Sequence, residues 1–67
     1  MAVLKVIEIL ASSETSWEDA VKNAVKTAAK SLKGIRSVYV QDQSAVVKDN
    51  HIVEFRVTCK ITFEVFD

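Results

Sequence analysis

Proline is absent from this 67-residue chain, and glycine, cysteine and histidine each occur once. Each scarcity excludes something. One cysteine, Cys59, cannot close a disulfide within the chain. Cys59 and the lone histidine, His51, cannot together supply the four ligands of a structural zinc site. The single glycine, Gly34, leaves no glycine-rich loop to cradle a phosphate, which removes the dinucleotide-fold and P-loop readings. Without Pro-rich or Gly-rich tracts there is no linker or low-complexity segment, so 1–67 reads as one ordered domain. An excess of either charge is also lacking: nine basic and nine acidic side chains cancel. A nucleic-acid binder normally carries a basic excess. No apolar run approaches the roughly 20 residues that span a bilayer. The start, Met1 to Leu10, carries Lys5 and Glu8 inside its apolar run, unlike a signal peptide. The expectation is a cytoplasmic chain in a reducing compartment, with no nucleic-acid or membrane partner.

What the chain does have is apolar side chains, at 49% of residues. A domain this short buries only about 60% of the surface its unfolded chain exposes. Small domains compensate with disulfides, metals or partners. With the first two excluded, self-assembly is the expected compensation.

Val3 to Leu10 is rich in Val, Ile and Leu and reads as a strand. Val3, Ile7 and Ile9 fall on one face and Leu4, Val6 and Leu10 on the other, so both faces need cover. Ser12 to Ser16 reads as a polar loop. Ser16 suits a helix N-cap, with Asp19 three residues on as an approximate capping box. Trp17, Ala20, Val21, Ala24, Val25, Ala28 and Leu32 follow at helical spacing. Gly34 suits the left-handed position past a helix end. The spacing therefore predicts one amphipathic helix over 17–33, about 25 Å long.

Arg36 to Val47 reads as a second strand and Lys48 to His51 as a turn, with Asp49-Asn50 tolerant of positive φ. Ile52 to Phe66 alternates with period two. Val53, Phe55, Val57, Cys59, Ile61, Phe63 and Val65 share one face; Glu54, Arg56, Thr58, Lys60, Thr62 and Glu64 share the other. The fold class is α+β with order βαββ. A right-handed crossover sets the first two strands parallel, with the third between them. That third strand would run about 45–50 Å, roughly twice the helix. Its far end lacks cover from its own chain, and neighbouring copies are the simplest cover.

The candidate chemistry is binding, not catalysis. Cys59 sits on the core face and His51 in a turn, so they form no nucleophile–base pair. Lys22, Lys26, Lys30 and Lys33 make a basic stripe. With Glu18 and Asp19 at the helix start, the stripe is explained by the helix dipole and an i,i+4 pair. Trp17 reads as packing. On the polar face of the third strand, Glu54 and Glu64, with Thr58 and Thr62, offer hard oxygen ligands. Multiplied by symmetry, they would suit calcium or magnesium.

The segments Lys5-Val6-Ile7-Glu8-Ile9, Ser16-Trp17-Glu18-Asp19-Ala20, Leu32-Lys33-Gly34-Ile35-Arg36, Val53-Glu54-Phe55-Arg56-Val57 and Ile61-Thr62-Phe63-Glu64-Val65, in this order and spacing, resemble the dodecins. These are small βαββ proteins of bacteria and archaea. The resemblance covers nearly the whole chain without a gap. It implies a hollow homododecameric shell of 23 symmetry. It also implies non-enzymatic binding and storage of flavins (FMN or riboflavin), stacked in pairs. Three family ligand positions differ here. Ser37 stands where flavin-binding dodecins have a stacking tryptophan, Arg56 where they have a ring-bonding glutamine, and Ser44 where they have an arginine that can meet the flavin phosphate. A base–aromatic stack is worth about 1–3 kcal/mol, and Ser37 offers none. Arg56 has donors only and suits a phosphate or carboxylate instead. The resemblance therefore carries the shell further than it carries the flavin.

Overall fold

The computed structural model describes residues 2–65. Its elements are β1 (Val3–Ser13), α1 (Trp17–Ala28), β2 (Ile35–Lys48) and β3 (His51–Val65). β3 lies between β1 and β2 and is antiparallel to both, so β1 and β2 run parallel, as the crossover rule requires.

The helix begins where the sequence places it. Ser16 is extended, with φ −169, and its Oγ accepts the Asp19 N–H at 2.9 Å. The return arm of the expected capping box is not made by Asp19. Its carboxylate instead accepts the Ser13 hydroxyl at 2.6 Å, and Ser13 Oγ accepts the N–H groups of Thr15 and Ser16. The buried Ser13 thus ties the end of β1 to the start of α1.

The helix ends at Ala28, five residues before the predicted Lys33. Lys30 and Ser31 donate to the carbonyls three residues back, at 3.2 and 3.1 Å, so the chain tightens out of α geometry. Gly34, at φ 71, then turns it, and its carbonyl accepts the Glu64 N–H at 2.9 Å. Docking on β3 fixes where the helix must stop. Lys30 and Lys33 therefore lie beyond the helix, and only Lys26 sits in its last turn.

β1 runs three residues past the predicted Leu10, which places Ser12 and Ser13 in the sheet. His51 opens β3, and the hairpin turn shrinks to Asp49-Asn50, at φ 52 and 66. Two successive positive φ values match the right-handed twist of the flanking strands. The predicted strand end at Phe66 lies outside the described residues.

The odd-numbered side of β3 meets the helix. Val57, Cys59 and Ile61 are fully buried there, with Ala20 and Ala24 from α1. Ile9, Ala11, Trp17, Val21, Val38 and Val40 pack around this cluster. Two alanines on the inner helix face let the helix approach the sheet closely. A 12-residue helix is about 18 Å long, whereas the molecule extends 50 × 20 × 13 Å. The overhang is the β2–β3 arm. Its Val47, Ile52 and Val53 are 61%, 56% and 42% exposed. On the helix-free side of β1, Leu4, Val6 and Leu10 also remain exposed.

Candidate functional site

The side of the sheet away from α1 holds every ligand position read from the sequence. The ladders arrange it in rows across β1, β3 and β2. One row is Ser12–Arg56–Ser44. Another, toward the opposite end, is Val6–Thr62–Ser37. Ser44 and Arg56 are therefore cross-strand partners. Ser37 lies opposite a residue six positions along β3 from Arg56, roughly 20 Å away. One chain brings two of the three positions together and leaves the third apart.

Arg56 is held by its neighbour two residues back. Its Nε donates to Glu54 Oε1 at 3.0 Å. That hydrogen bond holds the Glu54 carboxyl below its ordinary pKa; partial burial opposes it, and the Arg56 charge and the Ser12 hydroxyl reinforce it. The alternation of β3 puts these two residues on one face, but the sequence reading placed Ser12 in a loop. The alternation of β1, carried two residues further, would have put Ser12 beside Arg56.

Glu64 pairs with Arg36, near the start of β2. Glu54 and Glu64 stand ten residues apart on one strand, roughly 33 Å, so one chain does not gather them. Among the described residues no three of His, Cys, Asp and Glu come together. His51 and Cys59 are likewise separate, at the first residue of β3 and in the core.

Trp17 does more than pack. Its ring meets Phe55 edge-on, with centroids 4.9 Å apart, and its Nε1–H donates to the Ser44 carbonyl at 2.8 Å. The start of the helix is thereby fixed to the β2 strand at the Ser44–Arg56 row. Asn23 Nδ2 reaches the Ser12 carbonyl at 3.4 Å, on the other side of the same row. No helix among the described residues is long and apolar enough to cross a membrane.

A single helix on one face of a three-stranded antiparallel sheet, with a polar row facing away, defines a small βαββ module. The dodecin family model matches residues 3–66, and the chain belongs to that family. Calcium dodecin of Mycobacterium tuberculosis is 36% identical over 64 residues, covering 96% of this chain and 90% of that protein. A crystal structure of that calcium dodecin, described as a calcium-chelating antigen with a novel calcium-binding site, superposes with a TM-score of 0.85. It is 34% identical and covers 96% of this chain and 91% of that one. The dodecin of Streptomyces coelicolor superposes with a TM-score of 0.95 at 23% identity, covering 98% of this chain and 94% of that one.

Proposed function

We propose that the chain is a non-catalytic subunit of a hollow homododecameric shell that holds a divalent cation. One observation carries the assembly: a 50 Å sheet rests on a helix of 12 residues, with large apolar side chains bare on the β2–β3 arm and on β1. Twelve copies is the number the family resemblance implies. Calcium is the favoured cation, because a relative 36% identical over nearly the whole chain is a calcium dodecin. Glu54 and Glu64 are the carboxylates proposed for it. They stand apart in one chain, so symmetry copies must complete the site. A single domain over 1–67 and a cytoplasmic location belong to the same reading.

Light scattering on the purified protein tests the shell; a particle near twelve subunits is expected, and a stable folded monomer at micromolar concentration refutes it. Melting in chelator and in millimolar calcium tests the ion. Binding to the folded state raises Tm by mass action, so superimposable curves overturn the cation.

Flavin is the second reading, and the pairing of Ser44 with Arg56 favours it. Arg56 there would meet a phosphate, while Ser37 gives no ring surface. Riboflavin, which has no phosphate, is expected to bind weakly. Ser37→Trp with Arg56→Gln is expected to bind it more tightly, read as quenched flavin fluorescence. Equal quenching by both proteins would refute these site positions.

A further inference from the structure

Each of the two carboxylates proposed for the cation already holds an arginine of its own chain. Glu64 pairs with Arg36, and it lines a hollow shared with Lys5 and Lys33. Glu54 has Arg56 alone, whose Nε–H it accepts at 3.0 Å. A divalent ion therefore competes with a guanidinium at both places, and fewer positive charges oppose it at Glu54. That carboxylate is also open to approach. β1 ends at Ser13↔Phe55, one residue short of Glu54, and the register of β2 against β3 shifts just beyond Val46↔Glu54. A bulge of this kind bends the strand and re-aims its side chains.

Arg56 is only partly engaged. Its bond to Glu54 uses Nε, and it makes no other hydrogen bond among the described residues, so both terminal nitrogens remain for an anion. The neighbouring row along this face is Leu10–Thr58–Asp42, and Asp42 takes no hydrogen bond from Arg56. Across the ladders the guanidinium is flanked by two hydroxyl residues, Ser12 on β1 and Ser44 on β2. A planar fork of donors between hydroxyls suits the oxygens of a phosphate. The charge of Glu54 does not suit one, because like charges repel at this range. A doubly charged anion settles there more readily once a cation has taken that carboxylate.

We infer that Ser12, Arg56 and Ser44 form a subsite for a phosphomonoester, coupled to the cation at Glu54 through the Glu54–Arg56 pair. The inference rests on the cation reading above and adds a second ligand to it. Opening the one ion pair frees a carboxylate for the cation and a guanidinium for the phosphate. Either ligand thus prepares the place of the other, and by linkage each raises the other's affinity by the same factor.

Isothermal titration of calcium tests it, at fixed ionic strength, with and without glycerol 2-phosphate as the phosphomonoester. In the unmodified protein the phosphomonoester is expected to tighten calcium about two- to fivefold, the range a part-exposed ion pair corresponds to. Arg56→Gln is expected to bind calcium more tightly than the parent from the start and to gain nothing from the phosphomonoester. Glu54→Gln is expected to do the reverse, binding glycerol 2-phosphate more tightly than the parent and gaining nothing from calcium. A gain that survives in Arg56→Gln sets the anion on the metal itself and overturns the subsite. Calcium that binds the parent but ignores the phosphomonoester overturns the coupling and leaves the cation standing. Calcium bound by neither the parent nor Arg56→Gln removes the cation reading, and this inference with it. Should Arg56→Gln not fold, Glu54→Gln decides: an anion affinity equal to the parent's shows that the carboxylate never held the guanidinium back, and overturns the inference.

Discussion

Replacing Trp17 with phenylalanine removes one hydrogen-bond donor and leaves a ring in place. The donor is the Nε1–H that reaches the Ser44 carbonyl at 2.8 Å, and the ring is the partner of Phe55 at 4.9 Å. A typical intramolecular hydrogen bond contributes about 0.5–1.5 kcal/mol net. This one lies at an exposed edge, where water replaces the donor, so the loss falls near the lower end. Trp17→Ala removes the ring as well. Full truncation of a core tryptophan costs about 3–5 kcal/mol. Trp17 is half-buried, which brings the expected cost to about 2 kcal/mol, including the edge-to-face pair at about 0.5–1.5 kcal/mol. For a domain of this size each kcal/mol moves Tm by roughly 4–8 °C. Trp17→Phe should therefore melt a few degrees below the parent, and Trp17→Ala roughly 10 °C below it. Circular dichroism melts at one fixed protein concentration make the comparison, because the proposed assembly would couple stability to concentration. Equal losses in the two variants would assign the whole effect to the indole N–H. An unchanged Tm in Trp17→Ala would refute the anchoring of the helix to β2.

Two further outcomes follow from named groups. Cys59 is fully buried, and burial pushes its thiol pKa up. A thiol-specific chromogenic reagent should leave it unmodified in native protein and label it only on unfolding, so rapid labelling of folded protein would contradict the core assignment. Glu54 has a folded-state pKa held down by Arg56, so its contribution is fully present above the unfolded glutamate pKa of about 4.3. It is lost as pH falls through the lower folded value. Glu54→Gln should lower stability slightly at neutral pH and leave it nearly unchanged below the folded pKa, so that the acid limb flattens, and an identical acid limb would refute the pairing.

The sequence carried the fold well because its signals were local and periodic. The alternation from Val53 to Val65 and the Ser16 cap needed no tertiary knowledge, and the crossover rule then fixed the strand order. What it missed came from long-range contacts. Helical spacing continued to Leu32, but the hydrogen bond between Gly34 and Glu64 ends the helix early. Asp19 looked like the far arm of a capping box because Ser13, its true partner, had been read as loop. The partner of Glu64 was missed because Arg36 is 28 residues away in sequence and only the ladder brings them together. At the candidate site, the resemblance named positions but not their grouping. Register decides that Ser44 meets Arg56 and that Ser37 does not.

The pairing of Val3 with Val65 also has a kinetic consequence. β2 and β3 join through two residues, and such a hairpin closes in about 1–10 μs. The β1–β3 ladder must instead close a loop of nearly the whole chain, which is entropically the harder step. β3, the central strand of the finished sheet, therefore passes through folding with one edge open until β1 arrives. During that interval its alternating Val, Phe, Cys and Ile residues form a long adhesive strand beside an unpaired edge. Every newly made copy of the chain carries this vulnerability, and the rate at which β1 docks sets how long it lasts.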